Sequence, residues 1–204
     1  MIAKPADTKT RILDAAEKLF GKSGFDATSL RDITAEADVN LAAVNYHFQS
    51  KESLIDSVIA RRIEPVNLKR LAMLESAGPN PNLEQILIAF MAPVLNQQDL
   101  SGAIELMARI FATPDMFVTR LFKTHFTAIV ERFSEAIGKT LPELSRTEIL
   151  WRLHFTGGAM AHVLARSHLL PQMMPGFPEL PDRQTVLARL VTYAAAGFRA
   201  TEGF

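Results

Sequence analysis

Between residues 29 and 47 the chain sets two short helical segments on either side of a two-residue turn, and this spacing limits the fold more than any other feature. Thr28 or Ser29 caps a segment ending near Ala37, with Leu30 and Ile33 inward. Asp38 and Val39 form the turn, and Asn40 caps a second segment running to about His47. Ser and Asn suit these positions because their side-chain oxygens accept a bond from an orphan N–H of the first turn. Helices this short are marginal alone, so neighbours must hold them. Val39 and Val44 supply a plug between the two segments, and Ala42 and Ala43 keep the second one slim on its outer face. Upstream, Ile12, Ala16, Leu19 and Phe20 fall at i, i+4, i+7 and i+8, one face of a helix that Gly24 closes. Downstream, a longer helix begins after Ser50 with the stripe Leu54, Ile55, Val58, Ile59 and Ile63.

The 3.6-residue period persists to the C-terminus, and no convincing alternating strand of four or more residues interrupts it. The expected fold is all-α, with about nine helices. Ala77 to Asn82, with Gly78 and two prolines, is the clearest punctuation. After it the pattern predicts helices at approximately 83–97, 100–112, 115–138, 146–169 and 182–200. The loop from Pro171 to Pro181 holds four prolines and Gly176. The expected division is a helix-turn-helix domain over 1–52, with its motif at about 29–48, and a C-terminal domain over 53–204.

Two short helices with a tight turn are the geometry of a DNA reader. The first crosses the phosphate backbone and the second enters the major groove. Composition does not supply an electrostatic reason for DNA binding: Lys+Arg and Asp+Glu are 22 each, and the pI is about 7.0. Residues 1–62 divide evenly too, with nine basic and nine acidic side chains. Binding must therefore rest on local geometry, above all on backbone N–H groups at the helix N-termini near Ser29, Asn40 and Lys51.

The segment TSLRDITAEADVNLAAVNYHFQSKESLI, preceded by RILDAAEKLFGKSGFDA, resembles the TetR family of bacterial transcriptional regulators over about residues 9–60. Phe20, Gly24, Phe25, Thr28, Ile33, Ala37, Tyr46, His47, Phe48, Lys51 and Glu52 stand where the family pattern puts them. Asp38 departs from it, since the family usually has Gly in the turn; Asp tolerates the left-handed conformation better than most residues. The resemblance implies a DNA-contact set of Ser29, Arg31, Asn40, Leu41, Ala42, Ala43, Asn45, Tyr46, His47 and Lys51. In that set Tyr46, His47 and Lys51 face phosphates. Asn45 is the candidate for a base edge, because Asn pairs bidentately with adenine. Ala42 and Ala43 could touch a thymine methyl. The alternative for Tyr46 and His47 is that they pack against the fourth helix.

Ten of the 13 Phe and six of the eight Met lie after residue 82. Such residues form either an adaptable apolar chamber or plain core. The resemblance favours an effector chamber lined by Met91, Met107, Phe111, Phe117, Phe122, Phe126, Phe133, Trp151, Phe155 and Met160. ELSRTEILWRLHFTGGAMAH and YAAAGFRATEG look similar to the fatty-acid-responsive (PsrA-type) branch of the family. That implies a small lipophilic, acyl-type effector, with Arg109, Arg152, His154 and His162 as possible polar anchors. An efflux-type regulator answering to drugs is the alternative, and a helical lipid-binding protein without DNA activity is a different class. The family also implies a homodimer through the last two helices on palindromic double-stranded operator DNA. Small residues at Gly157, Gly158, Ala159, Ala161 and Ala194 to Gly197 suit that interface, or close helix contact within one chain. Pro65 permits a kink in the fourth helix or starts a new helical segment.

No enzyme is expected, because G-x-S-x-G, H-E-x-x-H and phosphate-loop patterns do not occur. His154 and His162 would lie about 80° apart on a helix, poor for a shared metal. No metal or cofactor is expected. The lack of Cys excludes disulfide scaffolds and a thiol nucleophile and fits a reducing compartment. The longest apolar run, Ile86 to Leu95, is ten residues with Pro93 inside it, against about 20 for a membrane span. With MIAKPADTKTR lacking the apolar core of a signal peptide, the expectation is a soluble cytoplasmic protein without membrane association.

Overall fold

The structure is a computed structural model that describes residues 7–96 and 115–201. Among them every regular element is helical: α1 (Thr8–Ser23), α2 (Leu30–Ala37), α3 (Leu41–Phe48), α4 (Lys51–Ser76), α5 (Leu83–Leu95), α6 (Asp115–His125), α7 (Thr127–Thr140) and α8 (Arg146–Arg166). A 3₁₀ turn (Ser167–Leu169), the short α9 (Leu170–Met173) and α10 (Arg183–Arg199) follow. No helix among the described residues is long and apolar enough to cross a membrane. The expected helix at 100–112, with Met107, Arg109 and Phe111, lies outside the described residues. The described chain forms two compact units, residues 7–64 with 115–125 and residues 65–96 with 126–201.

In the first unit, caps define the helix starts. Asp7 accepts from the Thr10 N–H at 2.7 Å, and Gly24 ends α1 at φ 86°, donating to the Phe20 carbonyl. Ser29 and Asp32 exchange bonds in a capping box at α2. The Ser29 hydroxyl and amide hold the Asp32 carboxyl below the usual carboxylate range. The core joins Ile12, Phe20, Phe25, Ile33, Val44, Phe48, Leu54, Val58 and Ile59, and α6 adds Leu121. A buried side chain of this size contributes about 1.5–3 kcal/mol against about 1 for a cap, so packing holds the short helices and the caps set their ends. Because the first half of α4 belongs to this core, the compact units divide at Glu64 and Pro65, further along than the expected division after residue 52. α4 runs unbroken from Lys51 to Ser76 with Pro65 inside it, so Pro65 does not begin a new helix. The proline is exposed, where water can replace the hydrogen bond it cannot donate.

In the second unit α5 packs on α7 and α10, and α8 packs on α7 and α10. Its core includes Leu83, Ile86, Leu87, Met91, Phe133, Ile137, Leu190 and Phe198. Arg152 of α8 is buried here. It meets Glu148 at 2.6 Å and donates to the carbonyls of Gly197, Phe198 and Ala200, satisfying the acceptor-rich end of α10.

The single helix expected over 115–138 is two. α6 ends at His125, Phe126 interrupts the run at φ −117°, ψ −21°, and α7 begins at Thr127. Neither Pro nor Gly marks this break. The buried residues of α6 belong to the first core and those of α7 to the second, and a uniform period does not register a change of core.

Candidate nucleic-acid interface

Asn40 opens α3 by accepting from the Ala43 N–H at 2.9 Å. Val44 and Phe48 then anchor the helix in the core, and Ala43 is half-buried against it. The opposite face carries Leu41, Ala42, Asn45 and Tyr46, all exposed. Those positions form one stripe at i, i+1, i+4 and i+5, slim at its start and polar or aromatic further on. Tyr46 is 83% exposed and meets only the edge of His47, at 5.1 Å between centroids. It does not pack against the fourth helix, whereas the half-buried His47 lies near Phe48 at 6.1 Å. Leu41 and Tyr46 are thus two large side chains exposed on one face of an eight-residue helix.

The turn is held firmly. Asp38 adopts φ 50°, ψ 54°, the left-handed conformation expected of it. Arg11 of α1 donates to the Ala37 and Asp38 carbonyls at 2.7 Å and meets the Asp38 carboxylate at 3.2 Å, closing α2 and offsetting the turn's negative charge. At the end of α3, Gln49 sits at φ 64°, ψ −43° with Ser50 N–H bonded to the Phe48 carbonyl at 2.7 Å, a strained three-residue turn that leads directly into α4.

Ion pairing explains how a neutral domain can still present cations. Arg11, Lys18, Arg61 and Arg62 pair with Asp38, Glu36, Asp14 and Glu17, and Arg120 takes Asp56. Arg31 at the start of α2 and Lys51 at the start of α4 form no ion pair among the described residues. With the exposed cap Ser29, they flank α3 in sequence at two helix N-termini, whose unpaired N–H groups suit phosphate oxygens.

The described residues among those expected to line an effector chamber belong to both compact units. Met91 and Phe133 are fully buried in the second core, and Met160 is buried there too. Phe117 packs with Phe25 in the first unit at 5.3 Å, and Phe122 on the same helix is exposed. Phe126 stands at the α6–α7 break. Trp151 and Phe155 stack at 5.6 Å on the outer face of α8, 54% and 63% exposed, and Trp151 borders an open groove with Thr147, Leu150 and His154. Arg152 is occupied by Glu148 and the α10 carbonyls, and His154 and His162 are exposed.

The small residues also separate into two groups. Ala194 and Ala195 are buried in the second core. A Cβ placed on Gly157, Gly158 or Gly197 would meet no described atom within 4 Å beyond its own helix, so packing among the described residues does not require these glycines.

One residue escaped the sequence reading. Val66, Arg70 and Leu74 fall at i, i+4 and i+8 and are all buried, so a cation stands inside an apolar stripe of α4. That break in the pattern was its available signal.

Two family models match: one for the bacterial regulatory proteins of the tetR family over residues 12–58, the other for the tetracyclin repressor-like C-terminal domain over residues 88–197. The second alone covers more than half of the chain. The chain belongs to the TetR family. Among curated relatives, the probable HTH-type transcriptional regulator YttP of Bacillus subtilis is 31% identical over 91 residues, 45% of this chain and 44% of that protein. The HTH-type transcriptional regulator UidR of Escherichia coli is 26% identical over 78% of this chain and 82% of its own length. Among solved structures, Salmonella enterica GusR matches with TM-score 0.68 at 19% identity over 98% of this chain and 99% of that one. The fatty acid degradation regulator FadR from Bacillus halodurans matches with TM-score 0.66 at 16% identity over 97% and 100%. In TetR-family terms α2 and α3 are the helix-turn-helix, and this chain is a transcriptional regulator.

Proposed function

We propose that this TetR-family regulator is a homodimeric repressor that binds palindromic double-stranded operator DNA through α3 and is released by a small lipophilic, acyl-type effector. The observation that carries the reading is the outward stripe of α3, Leu41, Ala42, Asn45 and Tyr46, on a helix whose other face is locked in the core. Asn45 reads a base edge. Tyr46, His47 and Lys51, with Ser29, Arg31 and Asn40 at the helix starts, hold the backbone, and Leu41, Ala42 and Ala43 line the groove. The stacked Trp151 and Phe155, the open glycines of α8 and α10, and Tyr193 at 72% exposure support a two-fold interface on these helices. Two readers on one palindrome must stand about 34–36 Å apart, which a dimer provides. The fatty acid regulator among the structural matches agrees with an acyl effector. The effector acts through α4, the helix that leaves the reader at Lys51 and carries Pro65 along its length. It can do so only by differential affinity for the two states, typically about 1–3 kcal/mol, or 5–150-fold in DNA binding.

A mobility shift with the DNA upstream of the protein's own gene tests this, followed by titration with acyl compounds and cationic drugs. A specific shift reversed by acyl compounds supports the proposal. Reversal by drugs alone would make it an efflux-type regulator, and no shift would leave a helical module without DNA activity.

A further inference from the structure

The two most buried arginines described differ in one respect. Arg152 has the Glu148 carboxylate at 2.6 Å and three carbonyls around it. Arg70 is buried to 4% exposure and has no carboxylate partner among the described residues. Its Nε donates to the Phe90 carbonyl at 2.8 Å and its Nη1 to the Asn67 side chain at 3.1 Å. Its guanidinium carbon lies 4.5 Å from the centre of the Phe90 ring, and that ring meets Phe133 edge-on at 5.3 Å.

A buried positive charge without a negative partner is costly, because neutral acceptors and a ring face recover only part of the lost hydration. Burial pulls the Arg70 guanidinium down to about 10, which still leaves it charged at neutral pH. Among the described residues two of its five N–H groups are engaged, which leaves three, both of those on Nη2 among them.

We infer that Arg70 is the anion-recognition residue of the effector site, and that it takes the carboxylate of an amphiphile whose tail lies along the apolar residues around Phe90. This inference rests on the proposed lipophilic effector and narrows it to an acid. One uncompensated positive charge calls for one negative charge, and a carboxylate matches it. A phosphate monoester carries about −1.5 to −2 at neutral pH and would bury excess charge unless further cations surrounded it. The remaining N–H groups suffice for a paired contact with two carboxylate oxygens. The half-buried Phe90, Leu71 and Val94 offer apolar contact for the rest of such a molecule.

Calorimetric titration of the full-length protein with dodecanoate, its neutral methyl ester and dodecyltrimethylammonium tests the assignment without involving DNA. The wild type is expected to bind dodecanoate at least about tenfold more tightly than the ester, as a charged hydrogen-bonded contact implies. Arg70→Gln should erase that preference while leaving affinity for the ester within about twofold, and Arg70→Lys should keep part of it. Equal wild-type affinity for acid and ester would overturn the role of Arg70 even if Arg70→Gln failed to fold. Undiminished dodecanoate binding by a folded Arg70→Gln would do the same. Tight binding of the ester or the cation without preference for the acid would sink Arg70 alone. Binding of none of the three would sink the lipophilic effector along with it.

Discussion

Glu17 of α1 is buried against Arg62 of α4, and its carboxylate is held at once by Arg62 and by the preceding Arg61. Arg61 also reaches Asp14 at 2.6 Å, so two successive arginines fasten one helix to another. Glu17→Ala leaves both guanidiniums without their buried partner. Because each arginine side chain keeps about a third of its surface in water, the loss is expected to be about 1–2 kcal/mol rather than the 3–5 of a fully buried pair. Urea denaturation measures it. A change under 0.3 kcal/mol would show the clamp to be ornamental.

Lys51→Ala should weaken binding to operator and random DNA alike and lower the salt slope by about one, since a phosphate contact carries no sequence information. Asn45→Ala should cost about 1–3 kcal/mol on operator alone and leave random-DNA affinity intact. Mobility shifts at several salt concentrations separate the two effects. The assignment fails if Lys51→Ala changes selectivity instead.

Phe155→Glu and Gly158→Asp place a charge on the exposed face of α8 without touching the core. Both are expected to give folded monomers in sedimentation experiments and to lose tight operator binding. Ala195→Asp should behave differently. Ala195 is 2% exposed within the second core, so a charge there unfolds the unit itself. A monomeric wild type at micromolar concentration would contradict the dimer.

Gln49 holds φ 64° between α3 and α4, where a side chain is strained. Gln49→Gly is expected to be neutral or slightly stabilising, since relief of strain offsets glycine's entropy. Gln49→Val should destabilise by about 1–3 kcal/mol. Thermal melts of the two variants read the difference directly, and equal melting temperatures would argue against strain at this turn.

The carboxyls of Asp7, Asp32 and Asp182 lie below their usual range because they accept bonds at helix starts, from the Thr10 backbone, the Ser29 side chain and the Thr185 backbone respectively. The unfolded chain therefore takes up protons first as pH falls. The stabilisation is present in full above about pH 5 and is lost as pH drops through the lowered folded values. Melting temperature should fall on acidification below about pH 4, and Asp32→Asn should flatten that fall.

Local chemistry wrote much of the reader into the sequence. Ser29, Asn40 and Gly24 mark helix ends because caps act over three or four residues, and Asp38 turns left-handed for reasons internal to Asp. The apolar period likewise identifies Ile12, Phe20, Ile33 and Val58 as core. Tertiary structure decided what no local rule contains. It split 115–138 at Phe126, because the residues on either side belong to different cores. It put Trp151 and Phe155 on the surface and Met91 and Phe133 inside, although the same residue types suit either place. It also paired Glu17 with Arg61 and Arg62, filled Arg152 with partners and left Arg70 buried without a counter-charge among the described residues. Charge partners come from residues distant in the chain, and a sequence lists charges without saying which of them meet.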